Sequence, residues 1–333
     1  MVKNDMDKSK INTKTIASQN GIALLMVLWV LTILMVIALS FSSMTRTETY
    51  STLSFKEGAE KKFIAEAGIE RTIMELFYRI QNINMKAILE GSEVWKIDGT
   101  SYNGQIGEGN YSVRITDESG KVDINIITDA NSDFLRNLFK NLGIPEDEVN
   151  VIVDCILDWK DPDDLLHLNG AEDDYYMSLP NPYKPKNANF DTLEELIMVK
   201  GITQEMLYGK GEQRGIIDFL TINSGRSQIN LNAAPKEVLM AIPGMTPEIA
   251  DAIINYRQDK EIKNIAEIQT ILGANYSLMS SYITTAGSNT FTIDSIGYKE
   301  SGKAGFGIRA GVIIEGNNEY RYFYYKSPAI IRQ

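Results

Sequence analysis

The chain has 333 residues, enough for two domains of ordinary size, and 44% of them are hydrophobic, so a sizeable core can form. Its formal charge of −11 is spread along the chain and opposes nucleic-acid binding, which draws on clustered Lys and Arg. One cysteine, Cys155, excludes an intrachain disulfide, and one histidine, His167, excludes histidine-rich zinc sites.

Residues 1–20 form a polar leader in which Lys3, Lys8, Lys10 and Lys14 face Asp5 and Asp7. Gly21 follows, and Ile22–Phe41 then runs for twenty residues without a charge. At about 1.5 Å per residue this is roughly 30 Å, the thickness of a bilayer core. A secretory signal has a shorter apolar region of about 7–15 residues and an A-x-A-like cleavage site, and neither is present. The run reads as one membrane span, with its basic flank cytoplasmic and the rest facing the periplasm or exterior. From Arg46 to Gln81 there is no proline and only two glycines. Phe55, Ala59, Phe63, Ile69, Ile73, Leu76, Phe77 and Ile80 recur at helical spacing, so the second half of a rod of about sixty residues is expected to lay this stripe on a folded domain.

A short basic leader, Gly21, a charge-free run and a long continuing helix together resemble a type IV prepilin. The resemblance implies cleavage by the prepilin peptidase between Gly21 and Ile22, methylation of Ile22 as the new N-terminus, and packing of the apolar helices within a filament. Most of that class carry Glu at the fifth mature position, where this chain has Met26. A carboxylate in an apolar filament core is costly unless paired, and the family pairs it with the amine of a neighbouring subunit. A subunit without it suits the filament tip. Ala23-Leu24-Leu25 and Val27-Leu28-Trp29 without that Glu are similar to the type II secretion system protein K family of minor pseudopilins.

After the helix, residues 91–130 read as short strands. Tyr111–Thr116 is one, Asp117-Glu-Ser-Gly120 a turn, and Lys121–Ile127 an alternating strand returning from it. At the C-terminus Phe291–Ile293, Phe306–Glu315 and Glu319–Tyr325 repeat the style, with Asn317-Asn318 as a hairpin turn. Residues 286–333 are therefore expected to complete the sheet begun at 91–130, and residues 131–285 to form a helical insertion. In it, Asn131 or Ser132 caps a helix running to Leu142, Gly143 ends that helix, and Pro145 starts another that reaches Trp159.

An internal repeat lies in the insertion. Asn189, Leu196, Val199, Gly201 and Thr203 match Asn232, Leu239, Ile242, Gly244 and Thr246 at a constant offset of 43. Each copy reads as helix, tight glycine turn, helix, and a partial third runs through Ile268, Ile271 and Gly273. The repeat resembles the helix-hairpin-helix motif, many examples of which aim hairpin amides at a phosphate. Here the hairpins lack the second glycine usual in DNA binders. Residues 225–285 hold five basic and six acidic side chains, so a structural use of the motif is expected.

The most charged stretch lies between 150 and 180, with eight carboxylates and one Lys. Such density is either hydrated or bound to cation, and calcium takes six to eight oxygen ligands. Asp158, Asp161 and Asp163 can converge from a turn at Pro162, with Glu172, Asp173 and Asp174 closing the site after Gly170. The spacing is not that of an EF-hand. Cys155 reads as a buried thiol among Val153, Ile156 and Leu157, and His167 as a surface or capping residue. Likeness to the protein K family, whose helical domain is associated with calcium, favours the calcium reading of this stretch. No P-loop, G-x-S-x-G or H-E-x-x-H pattern occurs, and no catalytic role is expected.

The fold expected is α+β: a leader (1–21), a long transmembrane and amphipathic helix (22–90) packed on a small antiparallel pilin-like sheet, and a large all-α insertion with helix-hairpin-helix, SAM-like repeats. The resemblance implies a minor pseudopilin of type II secretion at the pseudopilus tip, anchored once in the inner membrane with its head in the periplasm. Its implied partners are other minor pseudopilins, the prepilin peptidase and the inner-membrane secretion platform, with no nucleic acid. The alternative is a membrane-anchored DNA-binding competence protein or type IV pilus tip protein that uses the hairpins.

Overall fold

The computed structural model describes residues 16–82, 94–299, 304–316 and 318–331. The basic leader up to residue 15, the end of the expected helix after 82 and Asn317 of the expected hairpin lie outside the described residues. The chain divides into two units, residues up to Glu60 and residues from Lys61 onward. Helix α1 (Ile16–Asn82) contributes to both. In the first unit its apolar side chains are exposed, Trp29 at 71% and Leu24 at 71%. The helix is long and apolar enough to cross a membrane.

In the second unit, α1 leads to the antiparallel strands β1 (Asp98–Ile106) and β2 (Gly109–Asp117). The chain then leaves the sheet. Strand β3 (Val122–Asp123) pairs in parallel with β4 (Leu220–Thr221), and β5 (Ile229–Asn230) with β6 (Ile283–Thr284). Between them lie α2 (Ser132–Asn141), α3 (Glu146–Lys160), α4 (Asp173–Met177), α5 (Gln204–Tyr208), α6 (Lys236–Ala241) and α7 (Pro247–Asp259). Strands β7 (Thr290–Tyr298), β8 (Phe306–Glu315) and β9 (Glu319–Lys326) return to the sheet, giving the order β1-β2-β7-β8-β9 with every pair antiparallel. The α+β architecture is as expected, but the insertion is not all-α, since β4, β5 and β6 lie within it and tie its ends by short parallel pairs.

The expected strand over Lys121–Ile127 is not a returning hairpin arm. Asp117 is fully buried and accepts hydrogen bonds from Ser119 N (2.8 Å), Ser288 N (3.0 Å) and Ser288 Oγ (2.6 Å). Gly120 is pressed against Ala233, so close that a Cβ would lie 2.6 Å from that residue's carbonyl carbon. Asp117-Glu-Ser-Gly120 is thus a buried joint between sheet and insertion, and the alternation that follows it serves the insertion's core. Val122, Ile124 and Ile127 are buried there with Leu138 and Leu220.

The helical stripe is also narrower than its spacing suggests. Ala65, Ile69, Ile73 and Leu76 are buried against Ile115, Ile293 and Val312, whereas Phe63 is 66% and Ile80 52% exposed. Close approach decides which residues face the sheet. A Cβ on Gly68 would lie 2.4 Å from Ser295 Oγ, and one on Gly297 2.2 Å from the Lys61 carbonyl oxygen. Glycine on both sides lets helix and strand meet at backbone distance.

The insertion has its own core, in which Phe134, Leu138, Ile152, Leu196, Leu239 and Ile253 are buried together. The two repeat copies share their turns: Gly201 and Gly244 have φ of 90° and 85°. Thr203 Oγ1 accepts from Met206 N (3.2 Å), and Thr246 Oγ1 from Ile249 N (3.3 Å). They differ in the first arm, which is α6 in the second copy and a 3-10 helix, Leu193–Met198, in the first.

Candidate metal centre

Helix α3 spaces Asp154 and Asp158 four residues apart, one turn, so both reach the loop that follows. Asp154 accepts from Arg136 Nη2 (2.5 Å), Asn169 N (3.0 Å) and Asn169 Nδ2 (2.9 Å). Asp158 is fully buried and accepts from Ala171 N (2.7 Å) and His167 N (3.2 Å). Both carboxylates therefore fasten residues 167–171 to the helix that precedes them. Gly170 is obligatory in this arrangement, because a Cβ there would lie 1.7 Å from Asp158 Oδ2.

The imidazole of His167 is half-buried between two carboxylates, with Nδ1 on Asp158 Oδ1 and Nε2 on Asp129 Oδ1 at 2.8 Å. Burial pulls its pKa down, but the hydrogen bonds and charges of Asp158 and Asp129 outweigh burial and hold it above the ordinary histidine value. His167 is therefore an internal bridge, not the surface residue its neighbours suggest. Asp129 stands at the end of a segment gathered by Lys160, whose ammonium donates to the carbonyls of Ile124 (2.9 Å), Asn125 (3.3 Å) and Ile127.

Of the expected ligands, Asp158 and Asp161 converge, and with His167 they offer donor atoms all within 4.8 Å of one another. Glu172 is 4% exposed, and neither carboxylate oxygen has a hydrogen-bond partner among the described residues. Burial, and then the charges of Asp158, Asp161, Asp164 and Asp163, push its carboxyl up to about 7. Asp161 Oδ1 is likewise buried and unpartnered, and burial with Asp163 and Asp158 raises that carboxyl. The remaining three are arranged otherwise. Asp163 is exposed and accepts from Leu165 N (2.8 Å), Asp173 pairs with Lys184 (2.5 Å), and Asp174 is exposed.

A buried carboxylate without a donor is costly as an anion, and only a proton or a cation relieves it. Glu172, unpartnered among the described residues, and Asp161, with Oδ1 unpartnered and a hydrogen bond from the Asp163 backbone, are a set of hard-oxygen donors of the kind calcium takes, although only Asp158 and Asp161, with His167, converge within 4.8 Å. The imidazole, engaged at both nitrogens, orients Asp158 from outside that set. Sequence reading missed Asp129 altogether. It lies 38 residues from His167, and nothing local marks it. Cys155 is buried as expected, and burial pushes its thiol up to about 12, so it is inert.

The hairpin turns touch the insertion on one side, while Gly201 and Thr203 stay exposed and Gly244 and Thr246 are half-buried. A Cβ on Gly201 would lie 3.0 Å from Ile152 of α3, and one on Gly244 2.9 Å from Leu278 Cβ. The Gly244 carbonyl accepts from Asn275 Nδ2 at 3.0 Å. Each turn thus makes a packing contact with the insertion without being covered by it.

Comparison with known proteins agrees with this architecture. A family model described as type II secretion system (T2SS), protein K, matches residues 120–208, and a helix-hairpin-helix motif model matches 224–278. Among curated relatives, "Type II secretion system protein K" of Pectobacterium carotovorum subsp. carotovorum is 29% identical over 198 residues, 56% of this chain and 60% of the relative. The protein of the same name from Pseudomonas aeruginosa is 26% identical over 256 residues, 70% of this chain and 72% of that one. A chain from the crystal structure of the GspK-GspI-GspJ complex of the enterotoxigenic Escherichia coli type 2 secretion system shares the fold, with a TM-score of 0.58 and 16% identity. That match covers 86% of this chain and 99% of the other.

Proposed function

We propose that this chain, a relative of type II secretion system protein K, works as a minor pseudopilin: a structural subunit that assembles with other minor pseudopilins at the tip of a periplasmic filament to support protein export. The match to the protein K family model over the cation cluster and first hairpin carries this reading. The apolar N-terminal helix serves as a single-pass anchor in the inner membrane, with the remainder periplasmic. The prepilin peptidase cuts between Gly21 and Ile22, and Ile22 becomes the methylated N-terminus. With Met26 in place of a carboxylate, the mature helix requires no amine from a subunit above it, as suits a terminal position.

Asp158, Asp161 and Glu172 hold a calcium ion in this reading, with His167 and Asp129 positioning Asp158. Asp163, exposed and bound to the Leu165 amide, stays outside, as do Asp173 and Asp174. The bound ion joins the end of α3 to the start of α4, and its part is structural. No catalytic step is assigned to the chain. The hairpins serve the insertion's packing rather than DNA, since residues 225–285 offer five basic against six acidic side chains and no clustered positive charge.

The test is co-expression of the full chain with the other minor pseudopilins of its host, followed by detergent extraction and affinity purification. A stoichiometric complex is expected. Recovery of the chain alone, or tight binding of duplex DNA at low salt, would overturn the assignment.

A further inference from the structure

Three leucines stand out of the acidic loop. Leu165 is 75%, Leu166 63% and Leu168 96% exposed. Single exposed leucines are ordinary, but three within four residues form a contiguous apolar point. The loop beneath them is not a frayed end. Asp158 holds His167 and Ala171, Asp154 holds Asn169, and Gly170 N donates to His167 O at 3.0 Å. The leucines are thus presented on an anchored base, and a partner would not bear the cost of ordering the loop.

We propose that Leu165, Leu166 and Leu168 form a docking tip for a protein partner that offers an apolar hollow rimmed by basic side chains. Charge selects that partner. Asp163 and Asp164 are exposed beside the leucines, with Asp161 and Glu172 behind them. Lys184, the cation that feels Asp164, is already paired with Asp173, and a divalent ion on Asp158, Asp161 and Glu172 would not neutralise the two outer carboxylates. Lys or Arg on the partner's rim would meet them and steer the encounter. A second copy is disfavoured because like charges would face each other. A bilayer is disfavoured because inserting the leucines would carry Asp163 and Asp164 toward hydrocarbon. The proposal rests on the reading of the chain as a secretion subunit, which supplies the setting in which such a partner is met.

The experiment uses the full chain in its own host. A photo-crosslinking amino acid replaces Leu168, and a separate strain carries Leu165→Ser, Leu166→Ser and Leu168→Ser together. The expected crosslink joins Leu168 to one segment of one protein, apolar and flanked by Lys or Arg. Reversing those basic residues to Glu should abolish it, and Asp163→Lys with Asp164→Lys should restore it. The triple variant is expected to lower release of the system's exported proteins at least tenfold, with thermal stability and recovery of the pseudopilin complex unchanged. Crosslinks only to lipid, to a second copy or to a segment without basic flanks overturn the proposal. So does secretion at the wild-type level in the triple variant, or a loss of secretion that accompanies loss of the complex. Failure of the wild-type chain to co-purify with the other pseudopilins would instead count against the functional reading and leave the crosslinking result to judge the tip on its own.

Discussion

Glu172 is where local chemistry gives the clearest handle on the proposed cation site. Its carboxyl is held at about 7, against 4.5 for an unperturbed glutamate, because burial and the nearby aspartates disfavour the anion. The folded chain therefore keeps a proton that the unfolded chain gives up. Without calcium, stability should fall as pH rises from about 4.5 to about 7 and stay lower above that, by about 3 kcal/mol at most. Thermal melts of the detergent-solubilised chain with chelator, from pH 5 to 8, check this, and Glu172→Gln should flatten that part of the profile. Calcium competes with the same proton. Its affinity should weaken as pH drops below 7, by about tenfold per unit if one proton is displaced, and calorimetry at pH 6 and 7.5 measures it. At Asp129 the expectation concerns affinity more than stability. Asp129→Asn removes the charge behind His167 and should weaken calcium several-fold while leaving the chelator-treated melting temperature nearly unchanged, since the Asp129 side chain is 78% exposed.

At the scale of elements, the two hairpins depend on backbone conformation more than on side-chain burial. Gly244 sits at φ 85°, where an L side chain costs about 1–2 kcal/mol, and a Cβ would also press on Leu278. Gly244→Ala should therefore destabilise the insertion by about 2 kcal/mol or more, and Thr246→Ala by about 1 kcal/mol through loss of the cap on α7. Chemical denaturation of the full chain distinguishes them. These glycines and threonines are legible in the sequence because the repeat aligns them at a constant offset. The 3-10 form of Leu193–Met198 is not legible. It follows from Thr192 and Glu195, where the Glu195 carboxylate accepts from Thr192 N (3.0 Å) and Asp191 N (3.1 Å) and tightens the turn. The expected strand after Gly120 failed for a related reason. Alternation marks two-sided environments in general, and here the two sides belong to the insertion rather than to the sheet.

For the second unit as a whole, the insertion is pinned to the sheet by buried polar joints rather than by one apolar interface. Asp117 gathers Ser119, Ser288 and Asn230. Arg257 donates to the carbonyls of Leu231 (2.7 Å) and Ala234 (2.8 Å) and lies 3.8 Å from Asp98 of β1. Arg79 of α1 reaches Glu261 at 2.6 Å. Removing Asp117 would strand several buried donors, each worth about 1–3 kcal/mol. Asp117→Ala should lower the melting temperature by roughly 6–12 °C, taking a loss of about 3 kcal/mol in a unit of this size. A shift under 2 °C would show that the joint contributes little. The membrane end has its own measurement: N-terminal mass spectrometry of the chain from cells with prepilin peptidase should find methylated Ile22 first.

What one-dimensional pattern carries in this chain is whatever depends on neighbours a few residues away: the charge-free span, the two-ended sheet with its helical interruption, the repeated glycine turns and the carboxylate-rich loop. Those features arise from backbone propensity and hydropathy, which act over one or two turns of chain. The pairing of Asp129 with His167, the lack of a donor to Glu172 among the described residues and the burial of Asp117-Glu-Ser-Gly120 arise differently. Each joins residues 38 to more than 100 positions apart, or depends on a partner's not being there. Such relations exist only once the chain has closed on itself, because burial and the loss of water that makes a carboxylate costly are properties of the packed molecule.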